Sequence, residues 1–287
     1  MVTVAERTEY VDFWNEILVP KFMKWKHILV DGLAHHSAVV FPLLEVPPGG
    51  RVVDVGCGFG DTAIELAKRV GPDGEVLGID CCDAFLEIGR RDAAAQGIGN
   101  VRFVEADVQA YPFEGDFDLC FSRFGMQFFE NPVAALRNVR RGLKPGGRMV
   151  MIVWRALAEN EAFLLPKQVV ARFLPPPGED ARTCGPGPFS MADRETVTRQ
   201  LEIAGYDEIE FRQIDATLRA GATPEEAVAF QMALGPAGEI VREAGELAER
   251  QRPEIEAALK AELARHVTGE GVMLDTSSWM VSARNPG

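Results

Sequence analysis

A glycine-rich turn carries the first residues that could do chemistry, with the sequence Asp54-Val55-Gly56-Cys57-Gly58-Phe59-Gly60-Asp61. It follows an apolar, β-branched run at 51–55, which predicts a buried strand, and Asp61 or Thr62 can cap a helix directly after it. Glycines allow such a turn to be tight and allow a ligand to approach the backbone closely. The turn is not a Walker loop, because no Lys-Ser/Thr pair follows the glycines.

The acidic residues of this turn indicate which ligand it suits. A dinucleotide loop has a third glycine where this chain has Asp61, and a helix N-terminus binds pyrophosphate best when no acid is nearby. Asp54 and Asp61 would flank the ligand and repel a phosphate group. We therefore expect a ligand that lacks phosphate and carries a positive charge.

Two further carboxylates follow the next predicted strands. Asp80 ends the second strand, 20 residues after Gly60, where a carboxylate can bind both hydroxyls of a ribose. Asp107 follows the third strand and can accept a hydrogen bond from an adenine amine, with the backbone N–H of Val108 beside it. A ligand with adenosine, a positive charge and no phosphate is S-adenosylmethionine.

The rest of the chain supplies the elements that must position these residues. Apolar strands alternate with helical segments, which predicts parallel βαβ units in an α/β, doubly wound open sheet that binds ligands beyond the carboxyl ends of its strands. The predicted strands are 51–55, 75–80, 101–105, 117–122, 148–154, 209–218 and 277–283. We divide the chain into an N-terminal helical lid (1–46), a cofactor-binding core (47–155), an insertion contributing to an acceptor pocket (156–192), a core helix and strand (193–220), a helical cap (221–274) and a final core strand (275–287). Within the lid, Thr8 can cap a first helix that Pro20 is predicted to interrupt.

Five segments taken together resemble a known family. They are VVDVGCGFGDTAIELA (52–67), VLGID (76–80), VRFVEADVQAYPF (101–113), FDLCFSRFGMQFF (117–129) and LKPGGRMVMIVWR (143–155). In this order and spacing they are similar to class I S-adenosylmethionine-dependent methyltransferases, of the group that includes the ubiquinone/menaquinone-biosynthesis enzymes. The resemblance implies a Rossmann-like, seven-stranded, mostly parallel sheet with an antiparallel final strand and a helical lid.

The same resemblance implies roles for individual residues. Asp54, Gly56, Gly58 and Gly60 would form the loop under the methionine part of the cofactor, and Asp80, followed by Cys81, would hold the ribose. Asp107 and Val108 would hold the adenine, while Ser122 and Arg123 would lie near the sulfonium and the methyl acceptor. The chain departs from the family at Cys81-Cys82, where small or polar residues are usual, and cysteine is small enough to preserve binding.

Catalytic candidates are fewer, and each has a structural alternative. His35 or His36 could act as a general base for an oxygen acceptor, but neighbouring helical residues point about 100° apart, so at most one would face the site. Arg123 could contact the reactants or could instead pair at the surface with Glu130 or with an acid near the sheet edge. Trp14 and Trp25 could shield the cofactor as part of the lid or could simply pack in the core.

The predicted reaction is in-line methyl transfer from S-adenosylmethionine, with S-adenosylhomocysteine as product, to a small organic acceptor. We expect an oxygen or nitrogen acceptor more than a carbon acceptor. Two alternatives stay open: a non-catalytic, regulatory protein that binds S-adenosylmethionine, and an NAD(P)-dependent oxidoreductase. The expected apolar lining of the acceptor pocket is Phe163, Phe173, Phe189, Phe230 and Met232.

Composition limits the partners. The 43 acidic residues exceed the 30 basic ones, for a formal net charge of −13, which argues against binding to nucleic acid or to anionic membranes. Five cysteines without a CxxC pair predict free thiols in a reducing cytoplasm. Four scattered histidines predict no metal site. We expect a cytoplasmic monomer or homodimer.

Overall fold

A single sheet forms the centre of the computed structural model, which describes residues 8–178, 181 and 185–287, and within those residues the sheet has eight strands. The strand order is β3-β2-β1-β4-β5-β8-β6, with β7 paired to β8 alone. The strands are β1 (Arg51–Val55), β2 (Glu75–Asp80), β3 (Val101–Glu105), β4 (Phe117–Arg123), β5 (Leu143–Trp154), β6 (Asp207–Gly221), β7 (Val267–Thr268) and β8 (Gly271–Arg284).

The pairing confirms the predicted fold class. Strands β1 to β5 pair in parallel, and β8 runs antiparallel to both β5 and β6. The predicted number of seven strands omits only β7, a two-residue strand that turns back on β8. Strand β8 begins at Gly271, four residues before the start of the predicted final core segment at 275.

Helices cover both faces of the sheet because alternate residues of each strand point to opposite sides. Val53 belongs to the apolar cluster that contains residues of α6 and α8, whereas its neighbour Val52 belongs to the cluster with α4. The core helices are α4 (Asp61–Val70), α5 (Asp83–Ala95), α6 (Pro132–Gly142) and α8 (Arg194–Ala204).

A third apolar cluster joins the N-terminal lid to the helices that follow the core. The lid contains α1 (Glu9–Phe13), a π-helical segment (Trp14–Leu18), α2 (Val19–Lys24) and α3 (Lys26–Val40). The remaining helices are α7 (Glu161–Val170), α9 (Pro224–Ala233), α10 (Gly235–Ala244) and α11 (Glu246–Leu263), of which α9 to α11 form the cap. No helix in the described ranges is long and apolar enough to cross a lipid bilayer.

The lid begins as predicted but bends at a different residue. Thr8 caps α1 through a 3.3 Å hydrogen bond from the backbone N–H of Val11. Pro20 does not interrupt the helical path, because it lies in the first turn of α2, where its missing N–H has no intrahelical partner to lose. The break comes instead at Trp25, whose backbone leaves the helical region between α2 and α3.

Candidate functional site

A cavity of about 460 Å³ lies at the carboxyl ends of the parallel strands, where an open α/β sheet binds its ligands. The glycine-rich turn after β1 and the ends of β2, β4 and β5 form its floor. The turn after β3, helix α7, the lid and the cap form its other walls. Residues that line the cavity include Trp14, Phe22, Asp80, Asp107, Arg123, Gln127, Phe163, Phe230 and Gln231.

The three glycines of the turn all have positive φ angles, but a side chain at each would meet different surroundings. A Cβ atom at Gly56 would lie 3.0 Å from the Cα of Gly125, and one at Gly60 would lie 2.7 Å from the ring of Phe103. A Cβ atom at Gly58 would meet nothing within 4 Å. Gly56 and Gly60 therefore allow close packing of the protein itself, while Gly58 leaves open space on the cavity side.

Asp54 lies beneath the turn, fully buried, and its side chain does not reach the cavity wall. Its Oδ2 accepts a 2.6 Å hydrogen bond from the hydroxyl of Thr62. Its Oδ1 has no partner among the described residues. Burial raises the pKa of Asp54 to about 7, although the Thr62 hydrogen bond and the charge of Arg123 oppose this shift. The carboxyl thus links the end of β1 to the first turn of α4 beneath the glycines, and it does not line the cavity.

Asp80 and Cys81 line the cavity at the end of β2. The two carboxylate oxygens of Asp80 accept hydrogen bonds from the backbone N–H groups of Gly58, at 2.9 Å, and Cys82, at 3.0 Å. Burial raises the pKa of Asp80 to about 6, against these hydrogen bonds. The carbonyl of Cys81 accepts a 3.2 Å hydrogen bond from the side chain of Asn15, which ties the lid to this edge of the site.

Asp107 and Val108 line the cavity after β3, as neighbours of the Asp80 edge. The Oδ1 of Asp107 accepts a 2.8 Å hydrogen bond from the backbone N–H of Gln109, which fixes the turn. The carbonyl of Val108 accepts a 2.7 Å hydrogen bond from Asn138 of α6. The structure therefore brings the predicted ribose and adenine residues to one wall.

Ser122 and Arg123 are neighbours at the end of β4, but only Arg123 reaches the cavity. Ser122 is fully buried and donates a 2.7 Å hydrogen bond to the carbonyl of Val55, which links β4 to β1. The predicted position of Ser122 near the sulfonium is corrected accordingly. Arg123 donates to both carboxylate oxygens of Asp61, at 2.7 and 2.8 Å, and to the hydroxyl of Ser37. Of the alternative pairings, the one with Glu130 is wrong, and the pairing with an acid near the sheet edge is confirmed, with Asp61 as the partner.

The two histidines proposed as bases lie outside the cavity, so that expectation is also corrected. His35 is on the opposite face of α3, where its Nδ1 lies 2.6 Å from the carbonyl of Thr217. His36 is fully buried between α3 and β8 and contacts the rings of Phe124 and Trp154 edge to face. Neither imidazole lines the cavity. Helix α3 has 15 residues, and its apolar residues lie on several sides. Its sequence therefore does not indicate which face points towards the cavity.

The hydrogen bonds of His36 show which of its ring nitrogens carries the proton. The hydroxyl of Thr276 donates to the carbonyl of Ala216, so it accepts from the Nε2–H of His36 at 2.9 Å, and the hydroxyl of Ser278 lies 2.9 Å from Nδ1. Burial, assisted by the charge of Arg123, lowers the pKa of His36 to about 4. His36 is therefore a neutral, fully hydrogen-bonded residue of the core.

We expect this histidine to make the protein sensitive to acid. Its pKa is about 4 in the folded protein, against 6.5 for an unperturbed imidazole, so the unfolded chain binds the proton first and stability falls as the pH drops from 6.5 towards 4. The loss at pH 5 should be about 2 kcal/mol. Urea unfolding of wild type and of His36→Asn at pH 7.5 and pH 5 isolates this contribution, because the other titrating groups are the same in both proteins. The stability of His36→Asn relative to wild type should rise by about 2 kcal/mol on going to pH 5, and an equal pH dependence in the two proteins would contradict the assignment.

Of the two tryptophans of the lid, Trp14 lines the cavity and Trp25 packs in the core. Trp25 packs against Phe230, at 5.7 Å between ring centroids, and does not line the cavity. Trp14, one helical segment earlier, does line it and contacts Phe22 and Phe128 edge to face. Both tryptophans follow the apolar spacing of the lid, and that spacing alone cannot tell the cavity side of an apolar face from its core side.

Aromatic rings dominate the part of the cavity between lid and cap. The predicted residues Phe163, Phe189 and Phe230 line it, whereas Phe173 and Met232 belong to the apolar core behind it. Sequence reasoning missed further cavity residues that come from the lid, the core, the insertion and the cap. They include Tyr10, Phe59, Phe85, Phe124, Gln127, Phe128, Trp154, Lys167, Gln231 and Glu239.

The described cysteines Cys57, Cys81, Cys82 and Cys120 are free, and Cys184 lies outside the described residues. The side chains of Asp80, Cys81 and Cys82 offer ligand atoms within 4.8 Å of one another. These residues belong to the edge of the cavity described above. The predicted lack of a metal ion stays a prediction.

Known proteins similar to this chain include methyltransferases. Residues 52–147 match a methyltransferase domain family. The ubiquinone/menaquinone biosynthesis C-methyltransferase of Idiomarina loihiensis is 34% identical over 179 residues, covering 58% of this chain and 70% of the relative. The protein of the same name from Pseudomonas putida is 30% identical over 222 residues, covering 73% of this chain and 81% of the relative.

The fold also matches solved structures. Phosphoethanolamine N-methyltransferase 2 of Haemonchus contortus, in complex with S-adenosyl-L-methionine, superposes with a TM-score of 0.60 at 17% identity. The match covers 98% of this chain and 61% of that chain. At this identity the likeness concerns the fold alone.

Proposed function

Because the chain belongs to the class I S-adenosylmethionine-dependent methyltransferases, we propose that it methylates a small, largely apolar organic molecule held between its lid and its cap. Membership of this enzyme family decides against the nicotinamide oxidoreductase and the non-catalytic binding protein that the sequence alone left open. The observation that carries the proposal is the cavity, which runs without a partition from Gly58 and Asp80 to the aromatic rings of the lid and cap.

The residues of the turn fit the cofactor of the family. Gly58 leaves open space towards the cavity, and the carboxylate of Asp80 lines it beside the glycine backbone. Asp107 and Val108 lie on the same wall. When bound, S-adenosylmethionine supplies an electrophilic methyl group on a positively charged sulfur. The chain's contribution is to hold the two reactants in contact and to exclude water with the lid.

The aromatic part of the cavity favours a flat, conjugated acceptor. Phe124 and Trp154 stack with ring centroids 3.9 Å apart, and Phe163 meets Trp154 edge to face at 5.0 Å. Cavities with apolar walls and a few polar groups bind small molecules and bury most of their surface. The acceptor class supported here is therefore a small ring compound rather than a macromolecule.

The polar groups of the cavity bear on which atom accepts the methyl group. None of the described histidines lines the cavity, and two of its carboxylates form ion pairs, Asp61 with Arg123 and Glu239 with Arg242. An acceptor that is electron-rich without a strong protein base suits this site. Since two relatives are named for C-methyl transfer, we propose a ring carbon conjugated to a hydroxyl oxygen, in place of the oxygen or nitrogen acceptor predicted from the sequence. The carbon–sulfur bond of the cofactor breaks as the new carbon–carbon bond forms, and the ring carbon then loses its proton to water.

A panel of acceptors tests the proposal. The protein is incubated with methyl-labelled S-adenosylmethionine and with matched phenols, enols, amines and thiols, and mass spectrometry with NMR locates the label. We expect label on a ring carbon of at least one hydroxylated aromatic compound. Transfer confined to amines or thiols would contradict the acceptor class, and tight cofactor binding without transfer to any compound would contradict small-molecule methylation.

A further inference from the structure

Gln127 is a buried amide in the cavity wall with one half of its hydrogen-bonding capacity unused. It belongs to a short 3₁₀ helix, Met126–Phe128, that follows β4, and it is 1% exposed. Its Oε1 accepts a 3.1 Å hydrogen bond from the backbone N–H of Trp154. Its Nε2 has no partner among the residues that the structure describes.

The orientation of this amide is set by its neighbour. A backbone N–H can only donate, so the oxygen of Gln127 must face Trp154 and the NH₂ group must point elsewhere. The backbone carbonyl of Gln127 accepts a 2.5 Å hydrogen bond from the hydroxyl of Ser190, which anchors the residue from a second side. The donor group is thus held in place before any ligand arrives.

A buried donor without a partner is unfavourable and calls for a physical explanation, because almost all buried polar groups in native proteins are hydrogen-bonded. Gln127 lines an apolar cavity, so a ligand can supply the missing acceptor. A second buried donor in the same cavity wall, the indole Nε1 of Trp14 on the lid, also lacks a partner among the described residues. By contrast, the Nε2 of the cavity residue Gln231 already donates to the carbonyl of Ala162.

We propose that Gln127 is a positioning and specificity residue for the methyl acceptor: its Nε2 donates a hydrogen bond to a hydroxyl, phenolate or carbonyl oxygen of that molecule. The inference rests on the proposed function, since it concerns the acceptor of that reaction. A hydrogen bond to this oxygen fixes the ring in one orientation against the aromatic walls. It also stabilises the deprotonated form of a hydroxyl acceptor, the form in which the conjugated ring carbon is most nucleophilic.

The variant Gln127→Glu separates the two halves of the amide. It keeps an oxygen for the N–H of Trp154 but replaces the NH₂ donor with a second oxygen, which donates only when the carboxyl is protonated. Gln127→Met has a side chain of similar volume and removes both groups. It provides the test if Gln127→Glu does not fold. Gln96→Glu makes the same chemical change at an exposed position outside the cavity and is the matched control.

The probes are 1-naphthol and naphthalene, which differ by one hydroxyl group, bound to protein saturated with S-adenosylhomocysteine. Equilibrium affinities are measured by probe fluorescence at pH 8 and pH 5.5, together with the affinity for S-adenosylhomocysteine and the melting temperature. We expect wild type and Gln96→Glu to prefer 1-naphthol about tenfold. Gln127→Glu should lose this preference at pH 8 and regain it at pH 5.5, and Gln127→Met should lack it at both, with cofactor affinity unchanged in both variants.

The outcomes that contradict this role differ from those that contradict the proposed function. Equal binding of the two probes by wild type, or a preference for 1-naphthol that survives in Gln127→Glu at pH 8 and in Gln127→Met, would overturn the role of Gln127 alone. Wild-type protein that binds neither probe would overturn the proposed aromatic acceptor and this inference with it.

Discussion

Gly58→Leu is expected to weaken the binding of S-adenosylhomocysteine at least a hundredfold while the protein stays folded. The Cβ position of Gly58 faces open space on the cavity side, so a leucine there would occupy room that the family's cofactor needs. The φ angle of +52° adds a strain of about 1–2 kcal/mol for a residue with a side chain. Isothermal titration calorimetry and thermal unfolding measure the two effects separately.

Gly97→Leu is the matched control for this change. Gly97 also has a positive φ angle, +69°, and a Cβ atom there would also meet nothing within 4 Å. It lies between α5 and β3, away from the cavity. The two variants should lose similar stability, and only Gly58→Leu should lose affinity. Equal affinities in both variants would remove Gly58 from the cofactor site.

The cofactor edge of the site could be predicted from the sequence because it depends on local features. Asp80 and Asp107 stand at or just after the ends of strands, and parallel strands bring their carboxyl ends to one edge whatever the rest of the chain does. Each of the signals used is local in the sequence. Apolar β-branched runs, helix caps and glycine positions can all be recognised from a few neighbouring residues. These signals were sufficient to predict the parallel part of the sheet and the wall that holds both carboxylates.

Contacts between distant parts of the chain were not predictable in this way. From the sequence, Asp61 was expected to be a free carboxylate beside the ligand. In the structure Arg123, 62 residues away, neutralises it through two hydrogen bonds. The same limit explains the histidines, because the partners of His36 on β8 lie 240 and 242 residues later. Such pairings depend on how the final strand enters the sheet, and no local pattern encodes them.

The acceptor side of the site shows a related limit. An apolar spacing in the lid was correctly interpreted as an amphipathic helix, but it does not distinguish Trp14, which lines the cavity, from Trp25, which packs behind it. Gln127 carried no signal at all in the sequence. Its role could be inferred only from the structure, in which a backbone N–H of β5 donates to the oxygen of its amide. The polar groups that select an acceptor are therefore visible only once the strands are placed.

Binding of S-adenosylmethionine is expected to release protons and to strengthen as the pH rises from about 5 to 8. In the free protein, burial raises the pKa of Asp54 to about 7 and that of Asp80 to about 6, so both are partly protonated near pH 6. A cation bound beside them favours their charged forms and lowers both pKa values. The free protein then holds protons that the complex does not, and affinity increases with pH across this window.

The titration of Asp54 and Asp80 changes the stability of the free protein in the opposite direction to the titration of His36. A carboxyl whose pKa is raised by folding contributes stability that is complete below pH 4, and this contribution is lost as the pH rises through 6 and 7. At neutral pH the free protein therefore carries buried negative charge beneath and beside the glycine turn. A cationic ligand offsets this charge, so we expect S-adenosylmethionine to raise the melting temperature more at pH 8 than at pH 5.5.

Calorimetry at pH 6 in phosphate and in Bis-Tris measures the released protons, since the two buffers differ in ionisation enthalpy. We expect release of about one proton for S-adenosylmethionine and less for S-adenosylhomocysteine, which lacks the sulfonium charge. Asp54→Asn keeps an oxygen for the hydroxyl of Thr62 but cannot titrate, so it should release fewer protons. Asp73→Asn changes an exposed carboxyl outside the cavity and should match wild type. Identical binding enthalpies in the two buffers would contradict the coupling, because Asp54 and Asp80 would then have the same charge in the free and bound states.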